Sequence, residues 1–321
     1  MRVAVLRGGR SSERDVSLRS GEAVMAGLAE GGHEALDVVI DEEGQWTHDG
    51  HDVELVPGAG LLGADVAFPA LHGPFGEDGT VQGVLETLGS AYVGSGVLAS
   101  AACMDKITCK RLLAHHGVEQ VGFAVVGEPG WRERVTELDL PVWVKPSRLG
   151  SSVGISRVDD RADLDDAVQL ARDHDPRVIV EQHSPGREIE CSVLGNDDPE
   201  VSPPGEIVID ADWYDFESKY EEGQMRLDVP ADLPDEVAQV VRTQAAEVYR
   251  AMDCAGLARC DFFVTSEHRI LVNEINTLPG FTATSVYAKL FAAAGVEYAQ
   301  LCDRLLELAV QRRRAEAAHS Y

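Results

Sequence analysis

Two apolar runs, residues 260–265 and 269–276, flank the short polar turn Ser266-Glu267-His268 and read as the arms of a β-hairpin. Centring the turn between Glu267 and His268 sets Asp261 opposite Glu274, and the two-residue period of a strand puts Asn276 on the face of Glu274. Carboxylates facing each other across a ladder repel, so the fold must supply either a solvated edge or a cation there. The donors are all oxygen, with no Cys or His among them, which suits Mg²⁺ or Mn²⁺ better than zinc. The turn Thr277-Leu278-Pro279-Gly280 follows, where backbone can come close to a ligand.

The rest of the chain has to carry that hairpin, and 321 residues with 44% hydrophobic content can bury a large core in two or three compact units. A formal charge of −27 excludes nucleic acid and anionic membranes as partners, since both are held by basic surfaces. No apolar run approaches the ~20 residues of a membrane helix, and the charged start is too short for a signal peptide, so the expected location is the cytoplasm. Six cysteines without a CxxC pair argue for buried free thiols rather than zinc. Of 28 basic residues only five are lysine: Lys106, Lys110, Lys145, Lys219 and Lys289. Lysine is the compact point charge commonly used on phosphate, so each has to be placed.

Residues 1–95 alternate strand and helix, which predicts a small α/β domain with a parallel sheet, turning to α+β in the C-terminal parts. Its ligand edges are the loops after the strands, at residues 8–15 and 71–79, with Ser12 and Asp15 spaced like a capping box. A helix is expected over 104–116, closed by Gly117, and others over 235–252 and 297–314. Between strands lies the run VKPSRLGSSVG from Val144, whose glycines and serines offer donors to a phosphate beside Lys145. It is not a Walker loop, and read alone it is equally a plain turn. Glu13 is likewise readable as a solvated first-turn acid, and His72 as a capping or core histidine.

Five segments in order change the weight of these readings: GGRSSERDVSLRSG from Gly8, HGPFGEDGTVQG from His72, MDK from Met104, VKPSRLGSSVG from Val144, and RCDFF with NEINTLPGFTATS from Arg259. Together they resemble the D-alanine–D-alanine ligases, ATP-grasp enzymes of peptidoglycan synthesis, over residues 8–308. The resemblance implies an ATP-grasp fold with an N-terminal Rossmann-like domain (1–97), a central lid domain (98–184) and a C-terminal domain (185–321). It implies that ATP phosphorylates one D-alanine and a second attacks the acyl phosphate. Asp261, Glu274 and Asn276 would hold two Mg²⁺ (or Mn²⁺), and Lys106, Lys145, Ser151 and Lys219 would contact phosphate. Glu13, Ser152 and Tyr220 would orient the first D-alanine beside His72. Arg259 and the Gly280 N–H would form an oxyanion hole, and Ser285 would take the second carboxylate. Adenine would lie against Glu181, Gln182 and Ser184, with Glu188 on the ribose. Gln182 departs from the family's commoner lysine. Residues 213–220 resemble the ω-loop that closes the site, and Tyr220 within them favours dipeptide over depsipeptide. The resemblance also implies a homodimer.

Overall fold

The computed structural model describes residues 1–150, 153–209 and 225–319. The N-terminal sheet contains β1 (Arg2–Gly8), β2 (Glu34–Ile40), β3 (Trp46–His48), β4 (His51–Asp52) and β5 (Val66–Pro69), in the order β4-β3-β2-β1-β5. Val3 to Leu6 are fully buried because both faces of β1 are covered, and β1 runs parallel to β2 and β5. The sheet is nevertheless mixed, not purely parallel. After Ile40 the Asp41 carboxylate accepts from the N–H groups of Glu43 and Gln45, reversing the chain so that β3 pairs antiparallel with β2.

Helix α1 (Arg14–Glu30) packs on β1. Its N-cap is Glu13, and the predicted Ser12–Asp15 capping box does not form. The Ser11 hydroxyl instead donates to His72 O and accepts from Glu13 N–H, tying the loop before α1 to the loop after β5. Then come α2 (Thr80–Leu88), α3 (Val97–Met104) and α4 (Lys106–His115). The helix expected over 104–116 forms as α4 and starts at Lys106, because the extended backbone of Asp105 ends α3, a helix not expected from the sequence, and its carboxylate caps α4 by accepting from Thr108 N–H at 2.9 Å.

The central sheet is wholly antiparallel: β6 (Phe123–Val125), β7 (Val142–Pro146), β8 (Ser156–Val158) and β9 (Val178–Gln182), ordered β6-β9-β7-β8. It is covered by α5 (Trp131–Glu137) and α6 (Leu164–His174), and its core draws only on residues between Ala124 and Val180. The largest sheet holds β10 (Arg187–Gly195), β11 (Glu200–Val201), β12 (Gly205–Ile209), β13 (Met225–Asp228), β14 (Gly256–Val264) and β15 (Ile270–Asn276). Its order is β13-β12-β10-β14-β15, with β11 also on β10.

Helix α7 (Asp235–Ala251) buries Val241, Ala245 and Val248 against that sheet, in a core that α3 and α4 also enter through Cys103, Cys109 and Leu113. Helices α8 (Val286–Ala293) and α9 (Tyr298–Ala317) pack on the other side. Glu297 and Gln300 form a capping box at the start of α9, and Leu301, Leu305 and Leu306 join Val3, Val5 and Phe68 of the N-terminal sheet in one core. The six cysteines are all free and buried. No helix among the described residues is long and apolar enough to cross a membrane.

Candidate active site

The hairpin forms as β14 and β15, and Asp261 stands opposite Glu274. The route to that register differs from the one drawn from the sequence. Near the turn Val264 pairs with Ile270 and Phe262 with Val272, a register that would set Asp261 against Asn273. A β-bulge between Asp261 and Phe262 takes up the extra residue. It lets Val272 and Ile275, three apart, both point into the core, while Glu274 and Asn276 reach a cavity of about 360 Å³ with Asp261.

The cation paired with Asp261 is Arg259. Its Nε and Nη2 donate to the two oxygens of Asp261 at 2.8 and 2.7 Å, and Nε lies 3.0 Å from Glu190 Oε2. Burial works against the guanidinium's charge, but Asp261 and Glu190 outweigh it and raise its pKa well above the usual value. Asp261 is 2% exposed. No group of three or more His, Cys, Asp or Glu among the described residues is placed to hold a metal.

Helix α4 supplies the next charges. Its first turn docks on the loop after β7: Lys106 N–H donates to Ser147 O at 2.9 Å, and the Ser147 hydroxyl donates to Asp105 at 3.0 Å. The Arg177 Nε completes the anchor, 2.9 Å from Asp105 Oδ2. Lys106 Nζ then donates to Leu149 O at 2.8 Å and lies 3.9 Å from Glu274 Oε2. Lys145, on β7, holds Glu181 Oε2 at 2.6 Å. Burial lowers and Glu181 raises the Lys145 pKa, with the pairing prevailing. Glu181 therefore turns its carboxylate toward lysines, while Gln182 Nε2 donates to Asp139 and Ser184 Oγ accepts from Gly186 N–H.

The opposite wall comes from the N-terminal unit. Glu13 is buried, which excludes the solvated-acid alternative, and it lines the cavity with His72 and Glu77. At Gly73 φ is +72°, a conformation that L side chains rarely adopt, and a Cβ there would stand 2.5 Å from Glu13 Oε2 and displace that carboxylate. His72 Nδ1 lies 3.0 Å from Leu278 O and Nε2 2.9 Å from the Ser20 hydroxyl. A carbonyl can only accept, so Nδ1 carries the proton, and burial lowers the His72 pKa in favour of this neutral ring. His72 thus bridges α1 to the turn after β15. Glu188, Gly280 and Ser285 also line the cavity, and Ser285 Oγ accepts from Thr282 N–H. Ser151, Ser152, Lys219 and Tyr220, with the rest of the ω-loop, fall outside the described residues.

Two family models cover this arrangement: one described as the D-ala D-ala ligase C-terminus matches residues 112–307, and one described as its N-terminus matches 2–60 and 57–95. The chain belongs to the D-alanine–D-alanine ligase family. Within the family, the ligase of Deinococcus radiodurans is 46% identical over 97% of this chain and 99% of its own length. That of Solibacter usitatus is 45% identical over 98% and 97%. The structure of the D-alanine-D-alanine ligase from Coxiella burnetii superposes with a TM-score of 0.89 at 32% identity, covering 99% of this chain and 96% of that one. VanG D-Ala:D-Ser ligase from Enterococcus faecalis gives 0.87 at 32%, covering 96% and 99%. The ATP-grasp fold read from the five segments is therefore that of the chain. Sequence reasoning had no role for Glu77, Glu190 or Lys110. Glu77 lay in a segment marked as a ligand edge, and Lys110 follows Lys106 by one helical turn.

Proposed function

We propose that this chain joins two D-alanines into D-alanyl-D-alanine for peptidoglycan precursors, using ATP to activate the first carboxylate as an acyl phosphate. The observation that carries the reading is one cavity in which Glu13, Lys106, Arg259 and the Asp261–Glu274 pair face one another. A carboxyl group becomes an electrophile only when phosphate charge is neutralised and held in line, and lysines and a half-buried arginine do that in a site shielded from water.

In this reading Glu13 binds the ammonium of the first D-alanine, together with Ser152 and Tyr220. Arg259 and the Gly280 N–H take up charge on the tetrahedral oxygen, and Ser285 receives the second carboxylate. Lys106, Lys145, Ser151 and Lys219 hold phosphate. The strand end at Glu181, Gln182 and Ser184 lies along adenine, with Glu188 on the ribose. His72 fixes the wall behind Glu13.

Asp261, Glu274 and Asn276 suit Mg²⁺ or Mn²⁺, two ions in the family pattern. The donors are hard oxygens, and a carboxylate has about four lone-pair sites, so the Arg259 pair leaves Asp261 able to coordinate. When bound, such ions neutralise the charge on the transferring phosphate. The division at 1–97, 98–184 and 185–321 and a homodimer belong to the same proposal, the latter tested by sedimentation equilibrium.

The deciding assay follows phosphate release from ATP with D-alanine as sole amino acid and weighs the product. D-alanine-dependent ADP and a dipeptide mass are expected. No turnover with D-alanine, while D-serine as second substrate supports it, would move the chain to a mixed-dipeptide ligase, the activity named for VanG from Enterococcus faecalis.

A further inference from the structure

Lys110 is the one lysine among the described residues that is almost wholly buried, its side chain 3% exposed. An ammonium taken out of water costs several kcal/mol unless it is paired. Lys110 lies four residues after Lys106 on α4, so both project from the same helix face, but only Lys106 lines the cavity. Lys110 Nζ sits 3.2 Å from Glu181 Oε1, and the other oxygen of that carboxylate is the one held by Lys145 at 2.6 Å. Across that contact the Lys110 ammonium brings its charge to bear on the carboxylate. Glu181, equally buried, is held at about 2: burial opposes its ionisation, and Lys110 and then Lys145 overcome it.

The charge balance decides what this arrangement does. Glu181 with Lys145 alone is a neutral pair in which the lysine's charge is spent on its partner. Adding Lys110 leaves the group with one net positive charge. The member able to present that charge is Lys145, which leads into the glycine-serine loop and feels Glu274 and Glu188 in the cavity wall. We propose that Lys110 is a positioning residue for nucleotide binding: it serves as countercharge to Glu181, so that Lys145 keeps its own charge for a nucleotide phosphate. The inference deepens the ATP reading and rests on it.

Titration calorimetry with Mg²⁺ and the β,γ-imido analogue of ATP tests it on the full chain, in the wild type, Lys110→Met, Glu181→Gln and Lys110→Met/Glu181→Gln. Methionine fills the lysine's volume and leaves a neutral Glu181–Lys145 pair, so K110M should weaken the analogue about tenfold and raise KM for ATP alike, leaving KM for D-alanine unchanged. In the Glu181→Gln background Lys110 has no carboxylate to neutralise, so adding Lys110→Met should weaken the analogue by less than about threefold relative to Glu181→Gln alone, whatever Glu181→Gln itself does to adenine. A purely structural role for Lys110 gives a loss of about tenfold in both backgrounds, and that result overturns the proposal, as does K110M binding like wild type. Should K110M not fold, the comparison of the double variant with Glu181→Gln decides alone: a change under about threefold supports the proposal, and a larger loss overturns it. A wild-type protein that fails to bind the analogue while folded overturns the ATP reading, and this inference with it.

Discussion

Glu77 accepts from the N–H of Gly73 at 2.6 Å in the wall of the cavity. Burial first, and the neighbouring carboxylate of Glu13 second, push its pKa from 4.5 up to about 8. In the unfolded chain the group ionises near 4.5, so between there and about 8 the folded state holds a proton that the unfolded state has released. Stability from this group is therefore full below the lower value, falls as pH rises through that window and levels off above it. Glutamine keeps an acceptor for Gly73 and has no proton to lose. Glu77→Gln should raise the Tm of the ligand-free protein by about 3 °C at pH 8 and leave it nearly unchanged at pH 5. Thermal scans at the two pH values check this, and an equal gain at both would mean that Glu77 is ionised throughout.

At the scale of an element, α4 is a helix whose first turn is a joint. Asp105 caps it, receives the Ser147 hydroxyl and pairs with Arg177, and the same turn sends Lys106 to Leu149 O. Asp105→Ala removes a cap and leaves Arg177 without this carboxylate, so denaturant unfolding should show a loss of roughly 1–2 kcal/mol, together with a raised KM for ATP. Asp105→Asn keeps a capping oxygen and should recover most of the stability. Equal losses in both variants would place the effect in the Arg177 pair rather than in the cap. The sequence contains this joint in the letters of MDK, but helix periodicity runs straight across Asp105, which is why α4 is expected two residues early and the short α3 before it is not expected at all. The β14–β15 hairpin has a similar history. Its strands and the Asp261–Glu274 opposition follow from pattern and turn, whereas the bulge is visible only in the spacing of Val272 and Ile275, which strict alternation cannot bury together. The pairing of Lys110 with Glu181 joins a helix to a strand 71 residues further along the chain, and no local period carries that information.

For the whole molecule, the buried clusters divide the chain unevenly. Val3, Val5 and Phe68 share a core with Leu257, Phe281, Tyr287 and Leu305, so the N-terminal and largest sheets are welded together, while the central sheet keeps a core of its own. Sequence periodicity marks each of these side chains as buried but not which unit buries it, because a shared core and two separate ones give the same pattern. The weld has a backbone seam at Gly94 and Gly256, where φ is +98° and +73°. A Cβ on Gly256 would stand 3.0 Å from Gly94 N and 3.2 Å from its Cα, so alanine there is strained in its own backbone and pushes the two units apart. Gly256→Ala should cost roughly 2–4 kcal/mol in urea unfolding, more than strain at one residue alone, because the seam cannot relax without disturbing the shared core. Hydrogen exchange distinguishes a weld from a local defect. Amides of β1 and β14 should lose protection together, while those of β9 in the central sheet keep theirs. Loosening confined to the first residues of β14 would mean that the two units are held elsewhere, and joint loss in β9 would mean that the central sheet is not an independent body able to move over the cavity.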